Sequence, residues 1–508
     1  MIPTKRSDRI YLVLIFLAVV AGIFLRFLRL GRLSLWMDEG YTAWLVSHPV
    51  GQIVRLVRAD TAPPLYYLML RGWVVLFGAS EAALRSLSAT FSVLTLFVAL
   101  DVARRFLKRP PALAAAAWAL ALCYFAIWYA REARAYSLMA LLILASVDCL
   151  LCHLRTDDRR WLIPLAIFFT AALYTHNMAI AYLASLAPLW LMLSRQPLRR
   201  RLADMSITAL LIAILYLPWA LGTLPSQIGL IHQGFWVHKP RLADLCTLIA
   251  ELLGIGHFWT WDQWIARFPF PGGIEYGPTL LGILLLAAST VLWISTIDAT
   301  KRRQAIALLL AALLPPVLVA VYSRVSTPLF MDKIFLLSAS LLPILIMFPL
   351  ENPGRAARVV ALATLLLIGA ALLGFEYEAQ NEDWRGAAAI VEHLPAARRL
   401  IVFVSDDGQL PFDYYYRGPD PQTGAPSGFF DRDPPRTMLR VIQNSDLARL
   451  KSDLAAGGYD EVVLVLAHLE WHDHDGLTLA MLRTKFPLEQ KWTLHDVTVA
   501  RLRANQAP

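Results

Sequence analysis

Long apolar runs dominate this chain. They lie near residues 11–29, 82–103, 112–129, 136–154, 161–177, 178–194, 203–222, 276–297, 304–322, 334–350 and 357–375. A helix rises about 1.5 Å per residue, so roughly 20 apolar residues match the hydrocarbon thickness of a bilayer. Inside lipid the backbone must satisfy its own polar groups, and a helix does this within one segment. The runs therefore predict a polytopic α-helical membrane protein with about 11 transmembrane helices. Composition agrees: 57% of the 508 residues are hydrophobic and 17% charged, against about 25% charged in a globular chain. The fifth and sixth runs form one continuous stretch through "YTHNMAIAY". The first run is too long for the apolar core of a signal peptide, and no small-residue cleavage site follows it, so it reads as a retained anchor.

The formal charge is +9. In a soluble chain this would suggest nucleic acid. Here the cations fall in short segments between apolar runs, so they set topology and no nucleic-acid partner is expected. With the N-terminus inside, the inside segments hold Lys5, Arg6 and Arg9; Arg104, Arg105, Lys108 and Arg109; and Arg155, Arg159 and Arg160. The later ones hold Arg195 and Arg199 to Arg201, Lys301 to Arg303, and Arg355 with Arg358. An even number of spans would break this agreement. The segments 30–81, 130–135, 223–275 and 323–333 then face outside, with the tail from 376.

That tail has a different composition. "RRLIVFVS" and "DEVVLVLAHL" read as buried strands, and "DWRGAAAIVEHL" and "SDLARLKSDLAAGG" as helices, the second with a Ser/Asp start and a Gly-Gly stop. The expectation is a transmembrane domain over 1–375 and an extracytoplasmic α/β domain over 376–508. The four cysteines, Cys123, Cys149, Cys152 and Cys246, lie mostly within apolar runs and make no disulfide framework. No internal repeat is visible, which argues against a secondary transporter.

The stretch "LSLWMDEGYTAWLVS" places Asp38 and Glu39 just beyond the first run. Charge near hydrocarbon is costly and asks for a reason. One reason is local, since acids at a helix start complement its dipole. The segments 41–48 and 51–58 are too short to span and read as interfacial helices anchored by Trp44, Arg55 and Arg58.

A longer pattern follows. "DE" after the first span, then "PPLYYLML" and "GWVVLFGASEAALRSLSA", resembles the first outside loop of GT-C glycosyltransferases of the protein O-mannosyltransferase type. That group includes bacterial family-39-like and lipid A aminoarabinose transferase branches. "YAREARAYSLMALLILAS", "YTHNMAI", "TPLFMDKIFLLSASLLPILI" and "EDWRGAAAIVEHLPAARRLIVF" resemble later family elements, in the same order along the chain. Two departures stand out. Ala62 occupies a position where the family commonly has His or Lys, and Lys333-Ile334 stands where it usually has Arg-Tyr. The second keeps a cation and loses bidentate geometry.

The resemblance implies a sugar donor linked to polyprenyl phosphate, with the sugar transferred to an acceptor hydroxyl on the outer face with inversion; separately, no further cofactor and no metal are expected. A hydroxyl nucleophile gains from a carboxylate that takes its proton. A phosphate leaving group departs as an anion and needs cations. Asp38 is the expected general base, and Glu39 would orient it or pair with a neighbouring Arg. The candidates for substrate and phosphate binding are Arg58, Arg131, Glu132, Arg134, Tyr136, His176, Arg324 and Lys333. Structural alternatives stay open: an ion-pair cluster for Arg131, Glu132 and Arg134, a salt bridge between Lys333 and Asp332, and a hydrogen-bonded role for His176. The "HFWTWDQW" aromatics from His257 read as an interfacial belt. "WHDHD" at 471–475 carries metal-type ligands but is short and exposed. The implied partners are the bilayer, the lipid-linked donor and a lipid, glycan or protein acceptor, and the implied location is a bacterial inner membrane. The rival functions are a transporter or flippase of lipid-linked sugar, which would place charges at mid-membrane, and a polytopic scaffold, which would not need Asp38.

Overall fold

The computed structural model describes residues 6–232, 237–255, 277–430, 433, 435 and 441–504. The "HFWTWDQW" stretch lies outside these residues. Among them, seven helices are long and apolar enough to cross a bilayer: Asp8–Phe27, Glu81–Phe106, Tyr136–Thr156, Leu198–Gly222, Thr279–Thr296, Ala299–Val325 and Arg355–Glu376. An eighth candidate is bent by 45° between Pro110–Leu122 and Tyr124–Ala130. The break falls at Cys123, whose backbone leaves the helical region.

The remaining three expected spans take a different form. The continuous stretch 161–194 divides at His176, whose Nδ1 accepts the Met178 N–H at 3.2 Å and caps a 3-10 turn, Asn177–Tyr182. The result is two shorter helices, Leu162–Leu173 and Leu183–Leu193. The run 334–350 becomes 3-10 turns at Asp332–Phe335 and Phe348–Glu351 flanking a helix, Ser338–Ile346. Every residue from 334 to 351 is buried. This run is apolar because it threads the interior of the bundle; Pro349 falls in the first turn of the second 3-10 piece, and Pro343 is carried inside the helix. Among the described residues seven helices, or eight with the bent pair, are long and apolar enough to span, in place of the expected about 11.

The basic loop segments are tied by buried acids. Glu351, with no exposed side-chain surface, accepts the backbone N–H groups of Lys108 and Arg109 at 2.8 Å each and the Lys301 ammonium at 2.7 Å. Asp204 accepts Arg159 Nε at 2.7 Å, with His153 Nε2 at 3.3 Å. Asp101 and Asp148, half-buried acids within the second and fourth apolar runs, both bind Arg105.

The chain forms two compact units. One comprises Met1–Leu28, Arg85–Pro225 and Val237–Ala379; the other comprises Arg29–Leu84, Ser226–Trp236 and Gln380–Pro508. The second unit thus joins the first loop to the tail. Its tail holds a five-stranded sheet, β1 (Arg399–Val404), β2 (Gln422–Gly424), β3 (Glu461–Leu466), β4 (Leu488–Thr493) and β5 (Thr498–Arg503), in the order β2-β1-β3-β5-β4. The strands β2, β1 and β3 are parallel, and β5 and β4 close the sheet antiparallel. Alternation sends Val402 and Leu464 to one face, under Leu450 and Leu454, and Ile401 and Phe403 to the other, under Trp384 and Val391. The two expected helices are present as Trp384–Glu392 and Asn444–Gly457. The second is capped by Gln443 with Asp446 and ends at Gly458 in the left-handed conformation, φ 58°.

Candidate active site

In the unit formed by the first loop and tail, Asp38 and Glu39 occupy the first turn of the helix Met37–Ser47. Their environments differ. Glu39 has no exposed surface, whereas Asp38 is half-buried. A general base must reach its substrate, and of the two only Asp38 keeps exposed surface. The N-terminal neighbour Trp36 provides no side-chain cap. The Glu382 carboxylate from the tail accepts the Met37 N–H at 2.9 Å instead. Arg58 closes the helix Val50–Arg58 and is exposed.

In the helical unit, the bent helix delivers Trp128 and Tyr129 to a turn that begins Tyr136–Thr156. The Tyr129 hydroxyl donates to Asp332 Oδ2 at 2.8 Å. The Tyr136 ring lies 5.6 Å from Tyr129 and 5.7 Å from His176, centroid to centroid. The Lys333 ammonium sits 5.5 Å from the Tyr136 centroid, a cation–π contact. The charges of Arg134 and Lys333 both act on the His176 imidazole. Trp128 Nε1 donates to Glu132 Oε1 at 2.8 Å, and the Arg134 carbonyl accepts Ser88 Oγ at 3.1 Å. The structure thus gathers Tyr136, His176 and Lys333 with Tyr129 and Asp332, with Arg134 close enough to be felt electrostatically.

Two expected phosphate ligands engage other groups. Arg131 donates to the Leu25 carbonyl at 3.2 and 2.5 Å and to Glu376 at 2.5 Å, so its guanidinium ties the ends of two spanning helices. Arg324 is exposed at the end of Ala299–Val325 and reaches the Pro240 carbonyl at 3.5 Å.

Glu382 and a second acid, Glu251, were not among the sequence candidates. Glu251 lies on Leu242–Leu252, a helix too short to span. Burial first, then the negative charge of Asp332, pushes its carboxyl up to about 8. Its signal was a lone acid near the end of the apolar pattern "LADLCTLIAEL".

Among the described residues, no three His, Cys, Asp or Glu side chains assemble as a metal site. Within "WHDHD", the Asp473 carboxylate accepts the N–H groups of Leu477 at 2.7 Å and Thr478 at 2.9 Å, capping the helix Leu477–Arg483.

Comparison with known proteins bears out the resemblance read in the sequence. Residues 61–221 match the sequence model of a family described as dolichyl-phosphate-mannose-protein mannosyltransferase. Over 98% of this chain and 98% of the other, the structure aligns with the crystal structure of ArnT from Cupriavidus metallidurans in the apo state, with a TM-score of 0.52 and 16% identity. A crystal structure of ArnT from the same organism bound to undecaprenyl phosphate aligns over 96% of this chain and 97% of that one, with a TM-score of 0.48 and 17% identity. No curated protein sequence matches the chain. The first structural likeness establishes a GT-C fold: a helical membrane assembly with a small C-terminal sheet domain.

Proposed function

We propose that the protein is a membrane glycosyltransferase that moves a sugar from a polyprenyl-phosphate donor to an acceptor hydroxyl on the extracytoplasmic side, with inversion at the anomeric carbon. The observation that carries this reading is the match of residues 61–221 to a family described by a dolichyl-phosphate sugar and a transferase activity. The GT-C fold supports it. The positive-inside pattern supports the assignment of side.

The chemistry divides into two tasks. Asp38 removes the proton from the acceptor hydroxyl as the new glycosidic bond forms, and Glu39 orients it. The bond between the anomeric carbon and the phosphate oxygen breaks, and its electron pair leaves with the polyprenyl phosphate. Lys333 and Arg134 stabilise that anion, with Tyr136 holding the Lys333 ammonium and His176 beside it. Phosphate is already a good leaving group, so a second carboxyl acid is not required, unlike in glycoside hydrolysis. The transporter reading gains no support from Asp101 and Asp148, which serve Arg105.

The test is sugar transfer in isolated membranes, with a panel of labelled polyprenyl-phosphate sugars and a native acceptor extract. Wild type is run beside Asp38→Asn at equal abundance. Transfer by wild type alone supports the class and the base. Equal transfer by both moves the base elsewhere. No transfer by either favours a flippase.

A further inference from the structure

We propose that Glu382 is a positioning residue for Asp38, so that the tail domain sets the geometry of the base. The inference rests on the reading of Asp38 given above.

A helix start leaves backbone N–H groups without intrahelical partners, and a side chain just before the helix usually satisfies one. Trp36 does not do so for Met37–Ser47. The partner comes from 345 positions away, where Glu382 Oε2 accepts the Met37 N–H at 2.9 Å. That carboxylate is itself fixed. The same oxygen accepts the Trp384 indole N–H at 2.6 Å, and Oε1 lies 2.9 Å from His468 Nε2. Glu382 is 7% exposed, and Trp384 is fully buried.

The chain on either side of Asp38 is held from the same direction. The Ser34 carbonyl accepts Asn381 Nδ2 at 2.9 Å, and the Leu35 N–H donates to the Tyr415 hydroxyl at 2.7 Å. Beyond Asp38, Gly40 lies against Pro411 so closely that a Cβ there would stand 2.6 Å from the Pro411 backbone. The contact next in sequence to the base is the Glu382 cap. Without it the first turn can fray while the sheet, to which Glu382 does not belong, stays folded. Displacement of a reacting group by about 1 Å can cost roughly 100-fold in rate.

The experiment measures transfer kinetics for Glu382→Ala, Glu382→Gln, Asp38→Asn and the Asp38→Asn/Glu382→Ala pair. The Gln variant keeps a carbonyl oxygen for Met37 and Trp384 and offers an N–H to a neutral His468. The Ala variant is expected to lose kcat on the order of 10–100-fold with donor KM nearly unchanged, and the Gln variant to retain most activity. In the Asp38→Asn background, Glu382→Ala should add little further loss, because both act through one group. Met37→Pro removes the donated N–H at a position where proline is tolerated. Compared with Met37→Ala, it should reproduce the kcat loss even if Glu382→Ala folds poorly. Wild-type turnover in both Glu382→Ala and Met37→Pro, equal losses in the Ala and Gln variants, or a loss confined to KM would overturn the proposal. Failure of the base reading is distinct: there Asp38→Asn itself transfers sugar normally.

Discussion

The Tyr129 hydroxyl donates to the Asp332 carboxylate at 2.8 Å, joining residues 203 positions apart. Tyr129 belongs to the short arm of the bent helix, and Asp332 opens the 3-10 turn that carries Lys333. The bond therefore fixes the backbone from which the candidate phosphate ligand projects.

Tyr129→Phe removes this bond and keeps the ring contacts with Phe125 and Tyr136. A net hydrogen bond contributes about 1 kcal/mol to stability. The expected outcome is a slightly lower melting temperature and a donor KM raised several-fold, with kcat changed less. Steady-state kinetics against donor concentration reads this directly.

Lys333 separates charge from geometry. Its ammonium is held over the Tyr136 ring. Lys333→Ala should weaken donor use by at least about tenfold, as removal of a transition-state charge partner does. Lys333→Arg keeps the charge and can still stack on the ring, so it should recover most of the loss. Equal loss in both variants would show that position, not charge, matters here.

Glu251 gives the stability a pH dependence. Its carboxyl is raised from 4.5 to about 8 in the folded protein, so the folded state binds the proton more tightly than the unfolded state. The associated stability is fully present below pH 4.5 and falls as pH rises through about 8. Melting temperature in detergent should therefore decline between pH 5 and pH 8. Glu251→Gln mimics the protonated form, so it should flatten this decline. An unchanged slope in the variant would assign the pH response to other groups.

The apolar runs were legible because the bilayer demands length and uniform hydropathy, and both are local properties. The tail strands and helices were legible for a similar reason: "RLIVFV" and "EVVLVL" are buried on both faces and need continuous apolar sequence. The breaks inside 161–194 and 334–350 were not legible. Sequence marks His176 as polar, but that its ring nitrogen replaces a helical bond depends on backbone geometry. The same limit applied to the site. Asp38 and Glu39 stand out by their neighbours in sequence. Glu382, Tyr129 and Glu251 acquire their importance from partners or charges brought close only by folding. Arg131 shows the converse, a cation in a persuasive motif whose donors are engaged by Leu25 and Glu376.

Two glycines on neighbouring helices of the first loop should respond in opposite ways to the same substitution. Gly40 has no room: a Cβ would meet the Pro411 Cα and N at 2.6 Å, and a proline backbone in a packed helix cannot withdraw as a flexible side-chain end can. Gly40→Ala must push Met37–Ser47 away from Gln409–Tyr415, shifting the turn that carries Asp38. Overpacking of this kind costs about 1–3 kcal/mol. Gly72, within Leu65–Phe77, has nothing within 4 Å of its added Cβ and is exposed. There alanine removes the flexibility of glycine in a helix interior, worth roughly 0.5–1 kcal/mol. Gly72→Ala should therefore raise the melting temperature and leave transfer intact. Gly40→Ala should lower the melting temperature and reduce kcat. A Gly40→Ala protein with wild-type stability and turnover would mean that the helix bearing Asp38 is not seated on Pro411 in the working enzyme.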